Sequence, residues 1–186
     1  MIIVLLAEGF EEIEALTPVD MLRRASLTVK TVGISGKTVM GAHGISVACD
    51  LLPDEVDLSL VDMVILPGGM PGTLNLFSSP FTEKAVRSVL EANGRVAAIC
   101  AAPLILGRYG LLSGVVATCY PGFENELRGA ILVDKDVITF DNITTARGMG
   151  VAAEFSLELI RLLCDESTAA KISNAICRRN DDFLIF

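Results

Sequence analysis

The sequence alternates short aliphatic runs with longer amphipathic stretches, and this rhythm constrains the fold more than any other feature. Strand-sized apolar runs are found at residues 2–6, 29–32, 63–66, 96–99 and 115–118. Candidate helices lie between them, at residues 12–25, 83–92, 102–109 and 150–163. This β-α-β alternation predicts a mostly parallel sheet with helices on both faces. We therefore expect an α/β, doubly wound sandwich and a single domain over the 186 residues.

Two segments depart from this rhythm and are predicted to be hairpins. Residues 37–40 and 45–48 flank a Gly-Ala-His-Gly turn, and residues 131–133 and 137–140 flank Asp-Lys-Asp. Two helix starts are also predicted. Thr82 is a suitable N-cap for the helix at residues 83–92. Because Pro18 does not fit a straight helix interior, the regular part of the first helix is expected after Thr17, with residues 11–15 as an entry turn.

Composition and charge exclude several classes of protein. The chain is 52% hydrophobic and 20% charged, which excludes a disordered chain, and its net charge of −8 makes nucleic acid an unsuitable partner. No apolar run approaches the roughly 18 residues that a membrane-spanning helix needs, and the first run has no cationic flank. Five cysteines without a CxxC spacing indicate neither a disulfide framework nor a zinc site. We expect a cytoplasmic protein with no metal or other cofactor and no membrane association.

A buried strand that runs directly into Cys100 is the most informative segment. Small residues follow it, Ala101 and Ala102, and then a helix begins at about Pro103. This pattern is typical of a nucleophile elbow, in which bulky neighbours would clash and a helix N-terminus favours a thiolate. On this segment alone, an inert cysteine at the end of a buried strand is an equally good interpretation.

Two other strands end in segments that can serve a cysteine. Gly68 and Gly69 follow the strand at residues 63–66, and consecutive glycine N–H groups can form an oxyanion hole. Taken alone, a simple glycine turn is the better interpretation. Four carboxylates, at positions 8, 11, 12 and 14, follow the first strand. In an open parallel sheet, ligands bind at the carboxyl ends of the strands, so we expect these three segments to meet in one crevice.

The combination of AEGFEEIEALTPVDMLRRA, ILPGGMPG, AAICAAP and TTARGMGVAAEFSLELI resembles the DJ-1/ThiJ/PfpI superfamily, and most closely its DJ-1/ThiJ (YajL-like) branch. The resemblance covers essentially the whole chain. It implies a flavodoxin-like fold, a homodimer, a reactive cysteine at Cys100 and a partner carboxyl at Glu14. It also implies that the backbone amides of Gly68, Gly69 and Ala101 face the reacting atoms.

The resemblance also implies the chemistry. A protonated Glu14 in an apolar pocket would donate a hydrogen bond to the Cys100 thiolate and lower the pKa of the thiol. The thiolate would attack small reactive carbonyls, which is a glutathione-independent glyoxalase or deglycase activity. The alternative is a non-enzymatic oxidative-stress sensor or chaperone that works through oxidation of Cys100.

The scarcity of histidine sets this chain apart from other branches of the superfamily. Proteases and amidotransferases of the superfamily place a histidine beside the nucleophile, whereas here Ala101 follows Cys100 and the one histidine is His43. Protease and amidotransferase activities are therefore disfavoured. DJ-1 also has a histidine in the stretch where this chain has Tyr120. Tyr120, Cys119 and His43 are candidate site-lining residues. Cys119 is also a candidate resolving thiol. His43 is expected at the tip of the first hairpin, where a surface position is favoured over a catalytic one.

The remaining polar and sulfur-containing residues are assigned structural roles. Cys49, Cys164 and Cys177 are expected to pack in the interior, Cys164 on the apolar stripe of the last predicted helix. Arg24 is expected to pair with acidic groups near the first helix, and Arg147 to brace the last strand-to-helix turn. The four apolar residues 183–186 are expected to dock on the body of the protein or on a partner.

Overall fold

A six-stranded sheet forms the centre of the protein. The computed structural model describes residues 1–178. The strands are β1 (Ile2–Leu6), β2 (Val29–Gly33), β3 (Thr38–Met40), β4 (Ser46–Ala48), β5 (Met63–Leu66), β6 (Arg95–Ile99), β7 (Val116–Ala117), β8 (Ile131–Leu132), β9 (Val137–Phe140) and β10 (Ile143–Ala146). The helices are α1 (Glu12–Arg24), α2 (Gly72–Ser78), α3 (Pro80–Glu91), α4 (Pro103–Arg108), α5 (Ala152–Leu163) and α6 (Glu166–Ala175).

The strand order is β2-β1-β5-β6-β10-β9, and all neighbouring pairs are parallel except β10 and β9. The five parallel strands follow the order of a flavodoxin-like sheet, so the predicted fold class is confirmed. The order reverses between β1 and β5, because the chain first builds outward to β2 and then returns to the other side of β1. Ligand sites of this architecture form at that point of the sheet.

The side chains of β1 show how two cores form around one sheet. Ile2, Val4 and Leu6 pack on one face with residues of α1 and α5, whereas Ile3 and Leu5 pack on the other with residues of α3 and α4. All five residues are buried, as expected for a central parallel strand covered on both faces. None of the helices among residues 1–178 is long and apolar enough to cross a membrane.

One predicted hairpin is confirmed and the other is wrong. β3 and β4 pair antiparallel, with Val39 opposite Val47. In contrast, β8 pairs in parallel with β7, and β9 pairs antiparallel with β10, with Phe140 opposite Ile143. The true turn is Asp141–Asn142, where Asp141 adopts a φ of 53°. Asp and Asn tolerate this conformation, which is typical of two-residue hairpins. The predicted strand at residues 115–118 is also only two residues long and lies outside the central sheet.

Both predicted helix starts are wrong. Helix α1 begins at Glu12 and includes Pro18 within its buried face. Burial of that face against α5 and the sheet outweighs the local preference of proline. Helix α3 begins at Pro80, after the N-cap Ser79, because proline suits the first turn. Thr82 is instead fully buried, and its hydroxyl has no hydrogen-bond partner in the part of the chain that the structure describes.

The predicted interior position of Cys164 is wrong as well. Helix α5 ends at Leu163, so Cys164 lies at its C-cap, beyond the apolar stripe, and is exposed. Cys177 is also exposed, whereas Cys49 is buried as predicted. Arg24 pairs with Asp20 on the same helix, as expected for a residue near acidic groups. The apolar residues 183–186 lie outside the described residues.

Candidate active site

Cys100 follows β6 directly and adopts a φ of 65°, a conformation that few residues other than glycine adopt. The turn is held on both sides of the residue. The Cys100 N–H donates to the carbonyl of Ala146 at the end of β10, and its own carbonyl accepts from the N–H of Tyr120. The backbone is therefore fixed in the sharp strand-to-helix turn that the sequence predicts, with the thiol partly exposed.

Glu14 supplies the carboxyl that faces this thiol. It lies in the first turn of α1, and its side chain is buried, with about 1% of the residue exposed. The carboxyl shares a hydrogen bond with the Cys100 thiol and also accepts from the backbone N–H groups of Gly68 and Met149. The Gly68 N to Glu14 Oε2 distance is 2.9 Å. The contact between Met149 and Glu14 was not predicted from the sequence.

The Gly68–Gly69 turn has room for no side chain. A Cβ at Gly68 would lie 2.6 Å from Glu14 Oε2 and 2.8 Å from the Cβ of Cys100. Gly69 has a φ of 90°, and a Cβ there would lie 2.4 Å from the backbone N of Glu11. Because both approaches are too close for any other residue, the two glycines allow the turn after β5 to reach the nucleophile.

The three predicted oxyanion donors have different partners. The N–H groups of Gly69 and Ala101 hydrogen-bond to the Cys100 sulfur. In contrast, the N–H of Gly68 is engaged by Glu14, so it orients the carboxyl and is not available to a substrate oxygen in this arrangement. A charge that develops at the sulfur, or on an oxygen bonded to its new partner carbon, would thus face two backbone donors.

The ionisation of Glu14 and Cys100 is coupled. Burial raises the pKa of the Glu14 carboxyl to about 7, although hydrogen bonds from Cys100 and Gly68 lower it. Burial, followed by the negative charge of Glu14, raises the pKa of the Cys100 thiol to about 12, and the two backbone N–H groups act in the opposite direction. The predicted lowering of the thiol pKa applies to a protonated Glu14 and stays a prediction; an ionised Glu14 raises the thiol pKa, because an adjacent negative charge opposes formation of the thiolate.

These two pKa values describe one pair that releases its protons in two steps. The first proton leaves near pH 7, and the second is retained until about pH 12. Throughout the interval the pair holds one proton, either as carboxylate and thiol or as carboxylic acid and thiolate. The second arrangement is nucleophilic, and in it the carboxylic acid and two backbone N–H groups all donate to the sulfur.

Tyr120 lies beside this pair and contacts it through its backbone. Its backbone N–H bonds to Cys100, and about half of the residue is exposed. The ring lies close to Gly148, where a Cβ would be 3.3 Å from Tyr120 Cδ2, and meets Phe123 edge-on at a centroid distance of 6.4 Å. Tyr120 is thus a wall of the site.

Cys119 has the properties of an inert thiol. It is buried, and burial followed by the charge of Glu124 raises its pKa to about 11. It lines a cavity of about 310 Å³ that also contacts Arg147 and Asp134, whose side chains form an ion pair. Because a resolving thiol must be accessible, the burial of Cys119 disfavours this role, whereas Cys100 is partly exposed.

His43 lies at the tip of the β3–β4 hairpin and is largely exposed. Its Nδ1 is 2.9 Å from Glu12 Oε2 and 3.5 Å from Glu11 Oε2. The hydrogen bond to Glu12, and then the charge of Glu11, raise the pKa of the imidazole. These three side chains are close enough to hold a metal ion. However, both Glu12 oxygens already contact His43, through its backbone N–H and its ring, which explains the cluster as a link between hairpin and helix.

Comparison with known proteins places this geometry in a family. The DJ-1/PfpI family model matches residues 1–162. Protein DJ-1 homolog B of Arabidopsis thaliana is 36% identical over 96% of this chain, which spans only 41% of that relative. Protein dj-1beta of Drosophila melanogaster is 32% identical over 94% of this chain and 95% of the relative. The structure of oxidized Toxoplasma gondii DJ-1 matches with a TM-score of 0.92 at 31% identity, over 96% of this chain and 98% of that one.

Two further relatives have names that state an activity. The Caenorhabditis elegans glutathione-independent glyoxalase DJR-1.2 is 29% identical, with 95% of each chain covered. The Pyrococcus horikoshii deglycase PH1704 is 32% identical over 87% of this chain and 98% of the relative. The extent of the family match and the whole-chain similarity to DJ-1 proteins lead to one conclusion: the chain belongs to the DJ-1/PfpI family.

Proposed function

We propose that the protein is a glutathione-independent enzyme that uses Cys100 to convert small reactive carbonyls, as a glyoxalase or deglycase. The observation that carries this proposal is the contact between the Cys100 thiol and the buried Glu14 carboxyl. A carboxyl with a pKa of about 7 is suited to both accept and return a proton near neutral pH. The names of the nematode and archaeal relatives support the same substrate class.

The first step is the attack of the Cys100 sulfur on the aldehyde carbon of a 2-oxoaldehyde. A carbon–sulfur bond forms, the carbonyl π bond breaks, and the oxygen takes the proton held by Glu14, which gives a hemithioacetal. The N–H groups of Gly69 and Ala101 face this centre and stabilise the negative charge that passes from sulfur to oxygen. Glu14 is left as a carboxylate.

The second step moves a hydrogen between the two oxidised carbons. The Glu14 carboxylate removes the proton from the former aldehyde carbon and returns a proton to the neighbouring ketone carbon through an enediol. The product is a thioester of a 2-hydroxy acid. Water then cleaves the thioester, releases the acid and restores the thiol. The overall reaction adds one water with no net oxidation. Because the hemithioacetal and the thioester form on Cys100, the protein's own thiol takes the place of glutathione.

Lactate formation from methylglyoxal tests this proposal. We expect wild type and the Cys164→Ser variant to form lactate at the same rate, because Cys164 is exposed and remote in sequence from the pair. Cys100→Ser should abolish turnover, and Glu14→Gln should lower kcat by at least about a hundredfold, since it removes the proton carrier. Lactate formation by Cys100→Ser at the wild-type rate would refute the proposal.

A redox sensor that works through Cys100 is the second candidate function. The partly exposed sulfur, which accepts two backbone N–H groups, favours it because these donors can also hold the oxygens of a sulfenate or sulfinate. Reaction of the thiolate with a peroxide gives a sulfenate and water or an alcohol. Mass spectrometry under graded peroxide, run beside the lactate assay, separates the two functions: stoichiometric oxidation of Cys100 without any turnover supports the sensor and contradicts the enzyme.

We also propose that the protein acts as a cytoplasmic homodimer. Ile13 on α1 and Met40 and Ile45 on the β3–β4 hairpin are apolar and about half exposed, and the hairpin is tied to α1 through His43 and Glu12. Exposed apolar side chains on two elements that contact each other favour association. The five free cysteines suit a reducing compartment. Sedimentation equilibrium should show wild type as a dimer and Ile13→Glu as a monomer. A monomeric wild type at micromolar concentration would refute the dimer.

A further inference from the structure

An open cavity of about 300 Å³ lies next to Cys100, between the turn at Tyr120–Pro121 and the segment from Arg147 to Val151. Both walls are tied to the reacting pair through their backbones. The N–H of Tyr120 donates to the carbonyl of Cys100, and the N–H of Met149 donates to the Glu14 carboxyl. The cavity therefore lies beside the reacting pair, with one backbone hydrogen bond linking its walls to each member of the pair.

The lining of this cavity is mainly apolar and unusually exposed. Tyr120 is 49% exposed and Met149 is 53% exposed, and both belong to the small set of large apolar side chains that the described surface leaves in water. Pro121 and Val151 complete the apolar part of the wall. Exposed large apolar side chains that converge on a cavity are a feature of ligand sites.

The charged lining residue does not alter this character. Arg147 lines both this cavity and the neighbouring one near Cys119, and its guanidinium forms an ion pair with Asp134, which lines only the neighbouring cavity. The Arg147 backbone is also fixed, because its N–H donates to the carbonyl of Asp136 at a distance of 2.9 Å. With the guanidinium engaged in this way, the cavity presents an aromatic ring and a thioether to an occupant.

The volume exceeds what the smallest substrates need. About 300 Å³ corresponds to roughly ten water molecules at their liquid volume, whereas a methyl group occupies about the space of one. A methyl substituent would leave most of the exposed ring of Tyr120 and most of Met149 in contact with water. A substituent of several carbons would cover both.

We infer that this cavity is an apolar subsite that selects electrophiles in which a carbonyl group adjoins the carbon that Cys100 attacks and carries, on its far side, an alkyl or aryl group of several carbons. Within the proposed function, on which the choice of substrate rests, the class is 2-oxoaldehydes larger than methylglyoxal. Tyr120 and Met149 are the residues that determine this specificity. Their side chains contact the substituent, and their backbones hold the reacting pair.

The alkylation of Cys100 by N-methyl-, N-ethyl-, N-propyl- and N-butyl-iodoacetamide tests the subsite without requiring turnover. In each reaction the sulfur–carbon bond forms and iodide leaves, and site-resolved mass spectrometry gives the rate at Cys100. The exposed Cys164 of the same molecule corrects for the intrinsic reactivity of each reagent. We expect the corrected rate to rise by up to about fourfold for each CH₂ that becomes buried.

Two single variants, their double variant and a control identify the residues responsible. Tyr120→Ala and Met149→Ala should each flatten the dependence on chain length, and together they should abolish it. Leu60→Ala, which removes another exposed apolar side chain near the amino-terminal end of β1, should leave it unchanged. The inference would be overturned if the corrected alkylation rate of wild type did not depend on chain length, or if the double variant kept the wild-type dependence.

A parallel kcat/KM series with methyl-, ethyl-, propyl- and butylglyoxal separates the two proposals. A rate of carbonyl conversion that rises along this series supports both the enzyme and the subsite. An alkylation series that rises while none of the glyoxals is converted retains the subsite and refutes the enzyme. Conversion of all four glyoxals at equal kcat/KM, with a flat alkylation series, retains the enzyme and refutes the subsite.

Discussion

The proton shared by Glu14 and Cys100 leads to a specific pH profile for alkylation. In wild type the first proton leaves the pair near pH 7, and the reactive arrangement with the proton on Glu14 becomes populated in that step. The alkylation rate at Cys100 should therefore rise through a step near pH 7 and then reach a plateau. A further rise is expected only towards pH 12, where the second proton is lost.

Glu14→Gln and Glu14→Leu should remove that first step. In both variants the thiol titrates alone, and burial keeps its pKa at or above the ordinary value of 9. The midpoint of the alkylation profile should therefore move from about 7 to 9 or above, and a displacement of about two pKa units corresponds to roughly 2.7 kcal/mol. The midpoint of the alkylation profile should lie at higher pH for Glu14→Leu than for Glu14→Gln, because leucine donates no hydrogen bond to the sulfur.

The assay is iodoacetamide labelling followed by peptide mass spectrometry, with Cys164 as the reference thiol in each sample. Glu11→Gln is the matched control, since it makes the same chemical change one turn away. The charge of Glu11 raises the pKa of Glu14, so this control should move the step slightly to lower pH and retain it. If both Glu14 variants alkylate with the wild-type profile, the coupling between carboxyl and thiol is wrong.

Three further predictions follow from the same geometry. First, the pKa of Glu14 is higher in the folded protein than its ordinary 4.5, so the folded state retains a proton that the unfolded state loses. The stability linked to this group is fully present below pH 4.5 and is lost as pH rises through about 7, by about 3 kcal/mol. Urea unfolding across this range should show a correspondingly smaller loss for Glu14→Gln, and equal losses in both proteins would contradict the raised pKa. Second, Gly68→Ala should lower kcat at least about tenfold and stability by about 1–3 kcal/mol, because the new Cβ clashes with Glu14 and Cys100; Gly150→Ala, whose Cβ would meet open space, should match the stability of wild type in the same urea unfolding assay. Third, the NMR titration of His43, the one histidine in the sequence, should have a midpoint above 6.5 that Glu12→Gln lowers, whereas an unchanged midpoint would exclude the contact with Glu12.

The central sheet and the nucleophile turn could be predicted from sequence because each depends on local signals. The aliphatic runs of β1, β5 and β6 are long enough to indicate buried strands, and small residues after Cys100 indicate a tight turn. In contrast, β10 reads Ile-Thr-Thr-Ala, which is polar for a buried strand. Its position depends on pairing with β6 and β9, which no local pattern reveals.

The errors at helix boundaries have the same physical origin. Helix α1 includes Pro18 because a buried face stabilises it. Helix α6 was not predicted, although a signal exists: Asp165 is an N-cap whose side chain accepts from the N–H of Thr168 at 2.7 Å. The role of Met149 had no sequence signal, since any residue with a backbone N–H can donate to Glu14 there.

The left-handed backbone of Cys100 has a consequence for how this protein can change over time. A residue with a side chain in that conformation costs about 1 kcal/mol or more relative to glycine. Selection for thermal stability alone would therefore favour glycine at position 100, and selection for chemistry opposes it. Directed evolution for heat resistance, run without an activity screen, should therefore replace Cys100 among its early substitutions. The conformation of this residue lowers stability and is retained because the thiol is needed for activity.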